Sequence, residues 1–268
     1  MGQRLQLSVF SIAPRADAEK GRLKLHRSRR DDAEIRASYL DELAASPLAA
    51  AISEGNVPWQ YADARLISDD PAKGLARDKE LPAIADSLLE ALGKPEKDVF
   101  IVSPYFVPSK WGMAALRDLT ANNVKVTVLT NSLRATDVAA VHSGYARYRK
   151  DLLNAGVELY EVKPDFAPPK IRDKGLTGSS ATSLHAKTFV VDGKRVFIGS
   201  LNFDPRSARL NTEMGMVIDH AGIAGDMRQE LEKITPQYAY KVVMDKQRKR
   251  LRWQDPDRPD VLLKNEPD

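Results

Sequence analysis

Between residues 81 and 162 two hydrophobic periods alternate, and this alternation restricts the fold more than any other feature of the chain. Leu81–Leu92 reads as a helix closed by Gly93, Val99–Val102 as a short apolar strand, and Lys110–Asn122 as a helix with Met113, Leu116 and Leu119 on one face. Val124–Leu129 is strand-like, Asp137–Leu153 reads as a long amphipathic helix ending at Gly156, and Val157–Val162 is another strand. The βαβα order predicts an α/β fold in which helices cover a mixed, mostly parallel central sheet.

Two strands follow, His185–Val191 and Arg195–Gly199, joined by a tight turn at Asp192-Gly193. Asn211–Ile218 is a further strand and Ile223–Ile234 a final helix. Residues 164–181, rich in Pro, Gly and Ser, form a loop, and Glu54–Lys79, with Pro58, Pro71 and Gly74, reads as a linker after a helical pattern from Asp31 to about Ala51. The chain therefore divides into a basic N-terminal segment and linker (1–75), a catalytic domain (76–235) and a basic C-terminal tail (236–268).

The absence of cysteine excludes disulfides, thiolate chemistry and cysteine-ligated metals. No apolar run reaches the roughly 18 residues of a membrane-spanning helix, and the N-terminus lacks the apolar stretch of a signal peptide. Any membrane contact is then peripheral. Residues 1–30 carry eight Lys/Arg against Asp17 and Glu19, and 241–252 carry six against Asp245. Such ends suit anionic headgroups or nucleic acid; solvated termini are the plainer reading.

The chemistry concentrates in His185-Ala-Lys187-Thr-Phe-Val-Val-Asp192-Gly193. On a strand, residues two apart share a face, which sets an imidazole beside an ammonium. One attacks a phosphate or protonates its leaving group; the other neutralises its oxygens. A two- or four-residue turn would pair 189 with 196 and bring His185 opposite Ser200, with Asn202 just beyond. Ser200 and Asn202 would then hold the same anion. Glu213, on the next strand, is the candidate for orienting His185; Asp192 is the rival, at the far end of the hairpin.

His-x-Lys-(x4)-Asp followed by Gly199-Ser200-x-Asn202 resembles the signature of the phospholipase D superfamily. The likeness to its bacterial cardiolipin synthase-like branch is wider. It includes Pro104-Tyr105-Phe106-Val107-Pro108, Thr130-Asn131-Ser132-Leu133 with Thr136-Asp137, His142-x-Gly144-Tyr145 with Tyr148-Arg149, and Gly175 to Ser180. It closes with Asn202-Phe-Asp-Pro-Arg206-Ser207 and Asn211-Thr-Glu213. The resemblance spans about residues 60–268 and implies a phospholipase D-like α/β/α sandwich. It implies phosphatidyl transfer between phospholipids such as phosphatidylglycerol through a phosphohistidine, with catalytic residues His185, Lys187, Asp192 and Glu213. Ser200, Asn202, Tyr105, His142 and Arg206 would contact substrate, and no metal or other cofactor is required. The expected location is cytoplasmic or peripheral to the bacterial inner membrane.

Members of this branch carry two such motifs in a chain of roughly twice this length, and this chain carries one. In-line transfer asks for a nucleophile and an acid on opposite sides of the phosphate. The second half-site would come from a homodimer or from a missing N-terminal half. A homodimeric, metal-independent phosphodiesterase or nuclease and an inactive remnant are the competing readings, although the width of the lipid-branch likeness argues against nucleic acid.

Overall fold

A computed structural model describes residues 47–57, 59–75, 84–164, 184–245, 247 and 249–267. The expected basic N-terminus, most of the helix at 31–51 and nearly all of the 164–181 loop lie outside the described residues. The chain divides after Trp59. The first unit contributes helix α1 (Pro47–Ser53). The second unit holds everything that follows.

In the second unit, β1 (Asp63–Ser68) leads through a 3-10 turn (Pro71–Leu75) to α2 (Ile84–Leu92). Then come β2 (Asp98–Val102), α3 (Ser109–Ala121), β3 (Lys125–Asn131), α4 (Ala139–Ala146), α5 (Arg149–Asn154) and β4 (Glu158–Val162). The hairpin β5 (Thr188–Val191) and β6 (Arg195–Gly199) precedes α6 (Pro205–Arg209), β7 (Met214–Asp219) and α7 (Ala221–Tyr238). The chain closes with β8 (Ala239–Asp245), β9 (Arg250–Gln254) and β10 (Leu262–Leu263).

These strands form one sheet in the order β1-β7-β6-β5-β2-β3-β4-β8-β9-β10. It is mixed, as expected, but only β2, β3 and β4 run parallel to one another; every other neighbouring pair is antiparallel. The parallel strands are those whose connections carry helices, because a parallel return needs a long crossover. Alternate side chains of the central strands feed two cores. Val99, Ile101, Val126, Val128, Phe189, Val191 and Phe197 pack with α2, α3 and α5 on one face. Phe100, Val102, Leu129, Val190 and Val196 pack with α7 on the other. Helix, sheet and helix make three layers.

Three expectations need correction. The long helix at 137–153 breaks at Arg147-Tyr148 into α4 and α5, and Arg149 turns inward to the buried Glu161. The stretch 54–79 is more than a linker: it supplies β1, a sheet edge held to β7 over six residue pairs. Only Ile67 of that strand is buried, so no hydrophobic alternation marks it. The stretch 236–268 is not a tail but three further strands. Their buried residues Tyr240, Val242 and Trp253 join the first core, while the charges gathered around their turn mask the pattern.

Candidate active site

The functional residues meet at one end of the sheet. β2 and β3 finish there; β5 and β7 begin there. Two loops are stitched together at that end. The Ser103 hydroxyl donates to the Tyr105 carbonyl at 2.7 Å and accepts from the Phe203 amide at 3.0 Å. Phe106 stacks on Phe203 with ring centres 4.9 Å apart. The backbone before His185 is clamped by Asn131, whose amide nitrogen donates to the Leu184 carbonyl at 3.2 Å while its oxygen accepts from the Leu184 amide at 2.9 Å.

The hairpin register differs by one residue from the spacing argument. Phe189 pairs with Phe197 and Val191 with Arg195, leaving a three-residue turn, Asp192 to Lys194. Asp192 and Gly193 both have positive φ, 55° and 59°. Asp192 is pinned to the start of β2: its carboxylate accepts from the amides of Glu96 (3.1 Å), Lys97 (2.7 Å) and Asp98 (3.1 Å), and its own amide donates to the Asp98 carbonyl. That tertiary pin is invisible in local spacing. Lys187 consequently lies opposite Gly199, whose amide donates to the Lys187 carbonyl at 3.1 Å, rather than Ser200 opposite His185. Gly199 and Gly215 are neighbours in the register, and the Phe197 ring lies over both; a Cβ on Gly215 would come within 2.2 Å of it.

Asp192 thus stands at the far end of the hairpin from His185 and serves as a clamp, not as part of the site. Partial burial opposes its charge, but the three amides outweigh that and hold its carboxyl below the usual range. A depressed folded-state value adds stability above the unfolded value of about 3.9, lost as pH falls through the folded one. Asp192→Ala is expected to cost roughly 1–3 kcal/mol, read from urea unfolding.

His185 and Lys187 sit just before β5. The Lys187 ammonium stands 3.2 Å from Nε2 and 3.3 Å from Nδ1 of the exposed His185 ring, and it donates to the His185 carbonyl at 2.7 Å. Lys187 is only 8% exposed. Desolvation pulls its pKa below the ordinary lysine value; the negative charges of Glu213 and Asp137 pull the other way. Those two carboxylates therefore lie within electrostatic reach of the ammonium.

Ser200 hydrogen-bonds through its hydroxyl to the Glu213 carboxylate, and that hydroxyl accepts from the Met214 amide at 3.1 Å. Asn211 donates to the other Glu213 oxygen at 3.3 Å. Glu213 was the expected partner of His185, but its carboxylate is taken by Ser200 and Asn211. The register explains this: extended by two residues, it sets Leu201 between His185 and Glu213, two strand spacings of roughly 4.8 Å apart. Behind Glu213 lies a support that the sequence did not betray. Buried Asp69 accepts from the Glu213 amide at 3.0 Å and from Lys73 at 2.6 Å, and its amide donates to the Glu213 carbonyl at 2.8 Å.

Asn202 is buried, and its Oδ1 has no hydrogen-bond partner among the described residues. That oxygen is an acceptor, so it suits a hydroxyl or amine donor of a bound molecule, while a phosphate oxygen would be met by the side-chain nitrogen. Tyr105 borders the site. Desolvation, and then its hydrogen bond to Asp137 at 2.9 Å, pushes its hydroxyl up to about 12, so it stays protonated and can donate. Arg206 is exposed and donates to Asn211 at 3.2 Å. Its neighbours Pro205, Arg209, Leu210 and Asn211 line an open groove of about 540 Å³.

His142 does not join this group. Its Nε2 lies 2.5 Å from Glu266 and 2.9 Å from Arg149. Arg149 also donates to Glu161 at 2.7 Å, and Glu161 accepts from Tyr145 (2.7 Å) and Trp253 (2.9 Å). His142 is part of a buried network that ties α4 and α5 to the C-terminal strands, so the expected substrate contact is not met. Among the described residues no group of three or more His, Asp or Glu side chains is placed to hold a metal ion.

A three-layer mixed sheet with imidazole, ammonium, hydroxyl and amide at one end defines the phospholipase D class. The chain belongs to that superfamily, in the family described as "Cardiolipin synthase, PLD-like domain", whose model matches residues 88–235. It is 44% identical over 252 residues to cardiolipin synthase C of Escherichia coli (strain K12), covering 92% of this chain and 52% of that protein. It is 31% identical over 176 residues to cardiolipin synthase A of Pseudomonas aeruginosa (strain LESB58), 66% of this chain and 32% of that one. Phosphatidylserine synthase from Haemophilus influenzae Rd KW20 shares the fold, with a TM-score of 0.50 at 15% identity over 66% of this chain and 39% of that one. The chain spans about half the length of the E. coli relative and about a third of the Pseudomonas one.

Proposed function

We propose that this chain provides one half-site of a phosphatidyltransferase of the cardiolipin synthase type. The observation that carries the reading is the exposed His185 imidazole 3.2 Å from a buried ammonium, with the buried Asn202 at the same sheet end. In the proposed reaction one phosphatidylglycerol gives its phosphatidyl group to an imidazole nitrogen, the phosphorus–oxygen bond to glycerol breaks, and glycerol leaves with a proton. The hydroxyl of a second phosphatidylglycerol then attacks the phosphohistidine, yields diphosphatidylglycerol and frees the ring. Lys187 and Asn202 hold the phosphoryl oxygens, which carry more charge as the bond breaks. Glu213 fixes the Ser200 hydroxyl beside them. A second histidine, from another copy or from a preceding half, protonates the departing glycerol oxygen.

The test is thin-layer separation of products from phosphatidylglycerol, with the mass of the active species measured alongside. Diphosphatidylglycerol and glycerol in equal amounts support transfer. Phosphatidic acid alone would mark a hydrolase and defeat the proposal. Because Lys187 must stay charged, the rate is expected to fall on the alkaline side as pH rises through a value below the ordinary lysine value of about 10.4. Lys187→Arg, always charged, is expected to lower the rate but to abolish that alkaline limb, which a pH–rate profile would reveal.

A further inference from the structure

We propose that Tyr105, Asp137 and Asn202 form a subsite that reads the free hydroxyls of a glycerol headgroup. This rests on the transferase reading, to which it adds the residues that tell one headgroup from another. Phe106 and Phe203 pair in a short parallel bridge, the Val107 amide donates to the Phe203 carbonyl at 2.8 Å, and the two rings stack. Successive side chains along such a pair point to opposite sides. Tyr105 and Asn202, one residue earlier on each segment, are therefore neighbours on the side away from the rings. Asn202 is 9% exposed, and its Oδ1 has no partner among the described residues. Tyr105 is half-buried and donates its proton to the exposed Asp137 at 2.9 Å. Asp137 lies in the connection from β3 to α4, and its charge reaches the Lys187 ammonium. The group thus borders the proposed phosphate position.

What the three share is lone pairs. Asn202 Oδ1 can only accept. The Tyr105 oxygen, its proton committed to Asp137, is left as an acceptor, and the carboxylate keeps lone pairs beyond the one that Tyr105 occupies. Asp204, whose charge also acts on Tyr105, adds to the acceptor character of this corner, although one of its oxygens is taken by the Arg206 and Ser207 amides. A phosphate brings acceptors of its own and cannot satisfy these groups; Lys187 and the Asn202 nitrogen meet it instead. The matching ligand carries donors a few atoms from phosphorus. An ammonium there would stand within reach of the Lys187 ammonium, and like charges repel. The two free hydroxyls of glycerol are neutral, and a hydroxyl that donates to a carboxylate makes a stronger bond than a neutral pair does.

Glycerol 1-phosphate and propyl phosphate, which differ by two hydroxyls, are titrated into the full chain and their affinities measured by calorimetry, so that no turnover is needed. Glycerol 1-phosphate is expected to bind about tenfold to a hundredfold tighter, the range for hydrogen bonds to a charged acceptor. Asp137→Ala should bring it nearly to the level of propyl phosphate while leaving propyl phosphate binding unchanged. Tyr105→Phe, which removes one acceptor and releases Asp137, should remove part of the preference. Lys187→Met should weaken both phosphates alike. Equal binding of the two by the wild type, or a preference that survives both Asp137→Ala and Tyr105→Phe, overturns the proposal and leaves the transferase reading in place. So does an Asp137→Ala protein that loses affinity for both phosphates together, the mark of a merely structural role. Binding of neither phosphate by the wild type removes the anion site and both readings with it. A preference that holds in a protein forming no diphosphatidylglycerol supports the subsite and defeats the transferase reading alone.

Discussion

His185→Ala is expected to abolish phosphatidyl transfer, by at least about 10⁴-fold, and to leave the protein folded. In the proposed reaction, removing the imidazole removes either the atom that bonds phosphorus or the proton donor for the leaving oxygen. The loss should fall on kcat, since Lys187 and Asn202, the proposed phosphate contacts, are left in place. Stability should change little. The ring is exposed, and its side-chain neighbour is Lys187, which keeps its bond to the residue 185 carbonyl. Product formation within tenfold of wild type, with an unchanged circular dichroism spectrum, would remove His185 from the chemistry. The surviving sheet end would then need another nucleophile, and the neighbouring side chains, a buried lysine and a serine held by Glu213, would be the candidates.

Arg149→Ala should unfold the protein more readily than any surface change, by roughly 3–5 kcal/mol. Glu161 is 0% exposed, and without Arg149 its charge would be left with only Tyr145 and Trp253 as donors. For a unit of this size the midpoint should drop by roughly 6–20 °C. Glu266→Gln should cost less, because that carboxylate is partly open to water and its loss leaves Arg149 with Glu161. Burial works against the Glu266 charge, but hydrogen bonds from His142 and Arg149 bring its carboxyl down to about 2. Its contribution is therefore full above the unfolded carboxyl value and fades only as pH falls toward 2. Thermal unfolding of both variants side by side checks the order. An Arg149→Ala midpoint within 2 °C of wild type would mean the network adds nothing to stability.

The motif residues were legible because phosphate chemistry leaves few substitutes for imidazole, ammonium and amide at fixed spacing. Likewise, β2, β3 and β4 were legible because strands buried on both faces read as unbroken apolar runs. The hairpin register was not legible. It turns on Asp192 finding three amides some 95 residues earlier in the chain, and no local spacing reports a partner so distant. The bonding of Glu213 to Ser200, rather than to His185, follows from strand order: β6 lies between β5 and β7, so Glu213 reaches the strand end next to it first. Asp69 and Lys73 were missed for another reason: they lie in a polar stretch where a buried carboxylate looks like any surface aspartate. His142 and Arg149 were singled out by the resemblance, and their partner Glu266 lies 124 and 117 residues further along the chain, beyond the reach of any local pattern.

The stretch that defines family membership, 88–235, stops short of both margins of the sheet. β1 closes β7, and β8 closes β4, and all of β1 and β8 lie beyond that stretch. A protein trimmed to the similarity boundaries would display two bare rows of amides and carbonyls, each a template for another chain. Such a fragment should precipitate or stack edge to edge however well its central strands are packed.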